Sequence, residues 1–286
     1  MSGRSGFEVV ASRNGPPAMR DRQTGEVMHP GTGPGVEAMD LYVTPSRLER
    51  RLALDPDSPE EAADELVLFD VGLGAASNAI AAWNVSESLS TSARRLRIIS
   101  FENELGALEL ALSEEHAESF GLTGGAAIAA RSLLTRGHHE TARTTWKLAF
   151  GDFHAKAEEV PRGTADIVFW DFYSPKADAT LWSARTLRSA RQACRAGATL
   201  HTYCAATSFR AGLLLAGFAV GFGERTGARP ETTVAAVDPK DIARPLDARW
   251  LERLARSHVP FPTDVPREAW PDALATIQNA PQFRRA

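Results

Sequence analysis

The sequence predicts an α/β fold: a mostly parallel seven-stranded sheet with an antiparallel last strand. Three observations carry this. From Leu66 onward, short apolar runs alternate with segments of helical period. Four runs end in or just before an acid: "LVLFD" at Asp70, "LRIISFE" at Glu102, "WKLAFGD" at Asp152 and "ADIVFWD" at Asp171. The last two runs, "FAVGFG" and "ETTVAAV", are joined only by the turn-like "ERTGARP". Parallel neighbours need a longer crossover, so this pair is expected to run antiparallel.

Taken in order, residues 1–48 are rich in Gly and Pro, with short strands expected at "FEVVAS" and "GEVMHP". They form a small β-rich extension. "SRLERRLAL" reads as a helix capped by Ser46. The main domain, 49–237, begins its alternation with the strand "LVLFDVG" and the helix "ASNAIAAWNV". The strand "LRIISFE" follows, with two helical segments, "ELGALELALSEEHAESF" and "AAIAARSLLTRG". Next come the strands "WKLAFGD" and "ADIVFWD", then a helix "TLWSARTLRSARQACR" closed by Gly197. "ATLHTYCA" is a fifth strand, and "SFRAGLLLAG" a helix capped by Ser208. Residues 238–286 make a helical tail with the amphipathic "LDARWLERLARSH" and a second helix. Such alternation implies a sheet covered on both faces with right-handed crossovers. A parallel sheet closed by an antiparallel hairpin is the Rossmann-like methyltransferase layout.

The 286 residues are 43% hydrophobic and 24% charged, ordinary for a soluble globular chain. "MSGRSGFEVVASRNGPPAMR" lacks the apolar core of a signal peptide, and "LLLAGFAVGF" is too short to span a bilayer. A cytoplasmic protein with no membrane partner is expected. Cys194 and Cys204 have no metal-type spacing and are expected to be reduced and buried. His138 and His139, adjacent on an expected helix, would point apart, so no metal site is expected. The net charge of −4 does not point to nucleic acid.

In open α/β sheets, ligands bind outside the carboxyl ends of the strands. Any one of the four acids is as well explained by a helix N-cap; all four together point to a ligand crevice. In "DVGLGAASN", Gly72 and Gly74 allow a tight turn and close backbone approach. The dinucleotide fingerprint wants a third glycine where Ser77 stands, which argues against NAD or FAD. Glu102 can accept the hydroxyls of a ribose, and Asp152 can meet an adenine amino group. The set fits S-adenosylmethionine, whose sulfonium cation suits an acid-lined pocket.

These residues resemble a known family, the tRNA methyltransferases that finish 5-methylaminomethyl-2-thiouridine at the wobble position. The resemblance runs from about residue 25 to 237, through "GEVMHPGTGPGVEAMDLYV", "DVGLGAASNAIAAW", "ISFE", "FGD", "WDFYSPKADATLW", "HTYCAATSFRAGLLLAGFAVGFG" and "ETTVAA". It implies a class I methyltransferase fold in which the loop from Asp70 through Gly72 and Gly74 to Asn78 binds the methionine part of the cofactor. Glu102 would hold the ribose, Asp152 the adenine, and Asp171 would face the methyl group and the substrate amine. Glu37 and Tyr42 would help close the site, with a plain structural role as the alternative. The resemblance is to the stand-alone form, without the flavin-dependent domain fused in some relatives. Three positions depart from the family pattern: Phe172 replaces a small residue, Asp178-Ala179-Thr180 replaces a proline before Leu181-Trp182, and Ala76 replaces a frequent glycine.

An alkyl amine is mostly protonated at neutral pH, so Asp171 is expected to accept a proton from it or to orient it. Phe172, Tyr173 and Trp182 can stack on a base or surround a cationic amine, with core packing against the following helix as the alternative for all three, above all for Trp182. The expected function is N-methylation of a modified wobble uridine in tRNA. A small amine or other metabolite as acceptor, and a cofactor-binding protein in which Phe172 blocks the acceptor site, stay open. An NAD-dependent oxidoreductase is the most distant reading.

Overall fold

The computed structural model describes residues 6–11, 15–28, 33–53, 65–90, 93–173, 179–225 and 231–284. Pro175, the replaced proline site at Asp178, and most of "ERTGARP" lie outside them.

The N-terminal extension holds three strands: β1 (Phe7–Val10), β2 (Ala18–Asp21) and β3 (Val27–Met28), paired antiparallel in that order. The middle one was not expected, because "AMRD" is too short to show a period. After Gly33 the chain turns into α1 (Pro34–Ala38) and a π-helical turn at Met39–Val43, then α2 (Leu48–Leu52). Pro34 favours a first helical turn, yet five residues are too few to reveal a helix against so much Gly and Pro. Ser46 does not cap α2: its hydroxyl donates back to the Val43 carbonyl, and Arg47, in the left-handed region, precedes the helix.

The central sheet runs β10-β11-β9-β8-β4-β5-β7-β6. Its parallel strands are β4 (Glu65–Val71), β5 (Arg95–Glu102), β7 (Thr144–Phe150), β8 (Ala165–Trp170) and β9 (Cys194–Thr202). At the far side, β11 (Thr233–Ala236) lies antiparallel between β9 and β10 (Ala219–Phe222). These are the seven expected strands. The eighth, β6 (His138–Glu140), pairs antiparallel with β7. Both histidines therefore sit on a strand, after Gly137 ends the preceding helix at φ 73°.

Every residue of β8 is buried, as are all of β4 after Glu65, the mark of strands covered on both faces. One face carries α3 (Ser77–Ser88), α4 (Gly106–Ala111) and α5 (Gly124–Arg136), packed around Trp146, Leu68 and Phe169. The other carries α6 (Phe153–Glu158), α7 (Ala184–Ala193) and α8 (Thr207–Leu215), with α9 (Ala248–Ala255) and α10 (Trp270–Gln278) of the tail. Gly197 does not close α7; the helix stops at Ala193 and Gly197 lies within β9. Ser208 lies inside α8, whose cap position is Ala206. Both cysteines are buried, and neither is in a disulfide. Among the described residues, no helix is long and apolar enough to cross a membrane.

Candidate functional site

The carboxyl ends of β4, β5, β7 and β8 open into a cleft of about 530 Å³, a size that holds a small organic ligand. Gly72, Gly74, Asn78, Glu102, Asp152, Asp171, Phe172 and Tyr173 line it, and the N-terminal extension adds Glu26, Met28 and Glu37. Asp70 and Tyr42 stand behind this lining, both fully buried.

The loop after β4 is shaped for close approach. Gly72 has φ 93°, and a Cβ there would stand 2.5 Å from the Asp171 carbonyl oxygen. Gly74 has φ 51°, with the Met28 sulfur 3.2 Å from where a Cβ would be. Ala76 is left-handed too, at φ 68°, which gives a physical reason for the glycine often found there in the family it resembles.

Asp171 is held at three points. Its backbone N–H donates to the Val71 carbonyl at 2.9 Å. The Tyr42 hydroxyl donates to Oδ1 at 2.6 Å and the Asn78 amide to Oδ2 at 2.7 Å. The next two peptides are also fixed: Tyr203 donates its hydroxyl to the Phe172 carbonyl, and Trp182 donates Nε1 to the Tyr173 carbonyl, each at 2.8 Å. Tyr203 was not singled out in the sequence. A signal existed: the chain has three tyrosines, Tyr42, Tyr173 and Tyr203, and all three meet at this loop. Trp182 is buried against Phe209 at 4.8 Å, so core packing and loop anchoring coincide in one residue.

The two aromatics after Asp171 part company. Phe172 packs with the cluster of Trp170 and Phe153, while Tyr173 packs with that of Tyr42 and Phe169. Burial and the surrounding acids push the Tyr173 phenol above its ordinary range, so it stays neutral.

Glu102 accepts from the Gly74 N–H at 3.0 Å through Oε2, and from Asn103 and Glu104 N–H groups at 2.8 and 3.2 Å through Oε1. Burial raises its pKa and these amides pull it back. A carboxylate has about four lone-pair sites, and three are engaged here. Both hydroxyls of a ribose would therefore bind only with one of these three bonds opened. Asp152 caps α6, accepting from the Ala155 N–H at 3.0 Å; cap and cleft lining are the same residue. Asp70 accepts from Ser100 at 2.7 Å, and Ser100 accepts from the Trp146 indole at 2.9 Å. Asp70 Oδ1 is buried without a partner among the described residues. Burial pushes its pKa up to about 7, opposed by Ser100 and reinforced by the charges of Asp171 and Glu102.

Six acids line the cleft, Glu26, Glu37, Glu102, Glu104, Asp152 and Asp171, and among the described residues no lysine or arginine does. A pyrophosphate would meet repulsion there; a cation such as a sulfonium or an ammonium would be attracted. The site thus suits S-adenosylmethionine and disfavours a dinucleotide.

Comparison with known proteins agrees. Residues 127–238 match a family described as S-adenosyl-L-methionine-dependent methyltransferase. The chain is 28% identical over 231 residues to the tRNA 5-methylaminomethyl-2-thiouridine biosynthesis bifunctional protein MnmC of Methylibium petroleiphilum, covering 79% of this chain and 34% of that protein. It is 31% identical over 205 residues to the protein of the same name in Cupriavidus metallidurans, covering 67% and 30%. The chain spans about a third of the length of these curated relatives. The crystal structure of MNMC2 from Aquifex aeolicus superposes with a TM-score of 0.68 at 24% identity, over 99% of this chain and 87% of that one, and shows the shared fold. Fold, cleft and matched family together define the class: a class I, S-adenosyl-L-methionine-dependent methyltransferase. Within that class the chain is similar to part of the MnmC proteins, over about a third of their length.

Proposed function

We propose that the protein methylates the aminomethyl nitrogen of a modified wobble uridine in tRNA, in the cytoplasm, with S-adenosylmethionine as donor. The observation that carries this is the Asp171 carboxylate, fixed by Tyr42 and Asn78 at the edge of an acid-lined cleft. The cofactor supplies an electrophilic methyl group. Gly72 and Gly74 leave room for the backbone to approach its amino-acid part, Glu102 holds the ribose and Asp152 the adenine. Asp171 orients the acceptor amine and takes a proton at a carboxylate oxygen, and Tyr42 on Oδ1 and Asn78 on Oδ2 keep the carboxylate aimed. Tyr173 and Glu37 flank the acceptor, and Tyr42 acts through Asp171. The resemblance to the MnmC proteins supports tRNA as the acceptor.

A small cationic amine is the second reading, favoured by the six cleft acids. Nucleoside mass spectrometry of tRNA from a deletion strain decides between them. Accumulation of 5-aminomethyl-2-thiouridine supports the tRNA reading, and an unchanged profile sinks it. Calorimetry with S-adenosylmethionine tests the donor.

A further inference from the structure

We infer that Phe172 is a wall of the adenine subsite and sets cofactor affinity rather than acceptor choice; this rests on the methyltransferase reading above. Trp170 and Phe172 lie two residues apart at the end of β8, so in extended chain their side chains share one face. Their rings meet edge to face, 5.3 Å apart at 86°. The Phe172 ring also stands 6.1 Å from that of Phe153 at 76°, and Phe153 in turn packs on Trp170 at 5.2 Å. Phe153 directly follows Asp152, the acid at the end of the third parallel strand. Trp170 and Phe153 are buried core, whereas Phe172 is half-buried and carries the aromatic stack out into the cleft. The Tyr203 hydroxyl on the Phe172 carbonyl fixes the peptide from which that ring projects.

The Asp171 carboxylate is turned elsewhere, toward Tyr42 and Asn78. An amine held by Asp171 and a ring lying on Phe172 are therefore served by different sides of one short loop. Phe172 and Asp152 line the same cleft and are linked through Phe153, so the cleft offers an aromatic surface and a carboxylate together. That combination suits a planar base with an exocyclic amino group: the ring stacks and the amine donates. A bulky residue directly after the catalytic acid thus leaves the acceptor side open.

The test uses the whole protein with Phe172→Ala and Phe172→Leu, the second keeping most of the apolar volume against Trp170. Calorimetry gives the affinities for S-adenosylmethionine and S-adenosylhomocysteine. Turnover at saturating cofactor gives the KM for tRNA bearing 5-aminomethyl-2-thiouridine. Loss of base–aromatic stacking predicts about tenfold weaker binding of both cofactor forms in the alanine variant, with a smaller loss for leucine. The acceptor KM stays within about twofold. Unchanged cofactor affinity in a folded variant overturns the assignment, as does an acceptor KM that rises more than the cofactor dissociation constant. If the alanine variant does not fold, the leucine variant decides by the same two readings. Wild-type protein that does not bind S-adenosylmethionine refutes the methyltransferase reading itself, a separate failure.

Discussion

The hydroxyl of Tyr42 donates to Oδ1 of Asp171 across 2.6 Å, joining residues 129 positions apart in the chain. Tyr42 is fully buried and its ring packs on Phe169 at 5.4 Å, so the donor has little freedom to move. Tyr42→Phe keeps that packing and removes the Tyr42 donor from the carboxylate. Hydrogen bonds to charged groups are worth about 1.5–3 kcal/mol, so kcat is expected to fall about 10- to 100-fold. Cofactor affinity measured by calorimetry stays within about threefold. A kcat equal to wild type would make the contact structural only.

Asp171→Asn preserves shape and reverses part of the chemistry. Tyr42 and Asn78 both donate to this carboxylate, and the new NH2 would face one of those donors. The side chain also loses its capacity to take a proton. General-base steps contribute about 10²–10⁴-fold, so single-turnover methyl transfer should drop by at least about 100-fold while S-adenosylmethionine still binds. Full activity would remove Asp171 from the mechanism.

Gly72 is a steric requirement of the loop. A Cβ would lie 2.5 Å from the Asp171 carbonyl oxygen and 2.8 Å from its carbon. Neither backbone can yield freely, since Gly72 donates to the Phe101 carbonyl and Asp171 to that of Val71. Gly25, with φ 74° and, among the described residues, nothing within 4 Å of a Cβ, isolates the conformational cost alone. Gly25→Ala is expected to cost about 1 kcal/mol, and Gly72→Ala about 3 kcal/mol or more. Urea midpoints compared at one pH read the difference.

The strand ends were legible because a buried parallel strand is a run of apolar residues, and the first polar residue after it marks where the chain leaves the sheet. That logic located Asp70, Glu102, Asp152 and Asp171 at one edge of the sheet. It could not tell which acids face the cleft. Asp70 and Asp171 are both strand-end aspartates, yet one is fully buried on Ser100 and the other lines the opening. The segment that supplies Tyr42 was illegible as helix, since α1 has five residues and a π-helical turn has no sequence period of its own. The side chosen by Phe172 was readable in principle: the two-residue period of the strand already pairs it with Trp170. Its size suggested an obstacle to the acceptor, while its direction puts it with Phe153.

Asp70 gives the protein a pH signature of its own. Its ordinary pKa of 3.8 is pushed up to about 7 by complete burial, with Asp171 and Glu102 adding to the effect. Below pH 4 the folded and unfolded chains both hold the proton, and the group contributes nothing. Between about pH 4 and 7 the folded chain keeps a proton that the unfolded chain has released, so stability falls as pH rises. Above pH 7 the buried charge is fully expressed, at a cost of about 4 kcal/mol. Asp70→Asn removes this pH dependence. Ser100 can still donate to the amide oxygen, and the NH2 takes the place of the oxygen that now lacks a partner. That leaves an offset independent of pH, on the order of 1–3 kcal/mol. The stability of the variant relative to wild type should therefore climb steadily from pH 4 to pH 7 and level off above it. Urea unfolding at pH 4, 5.5, 7 and 8 measures this directly; parallel curves for the two proteins would show that Asp70 is charged throughout.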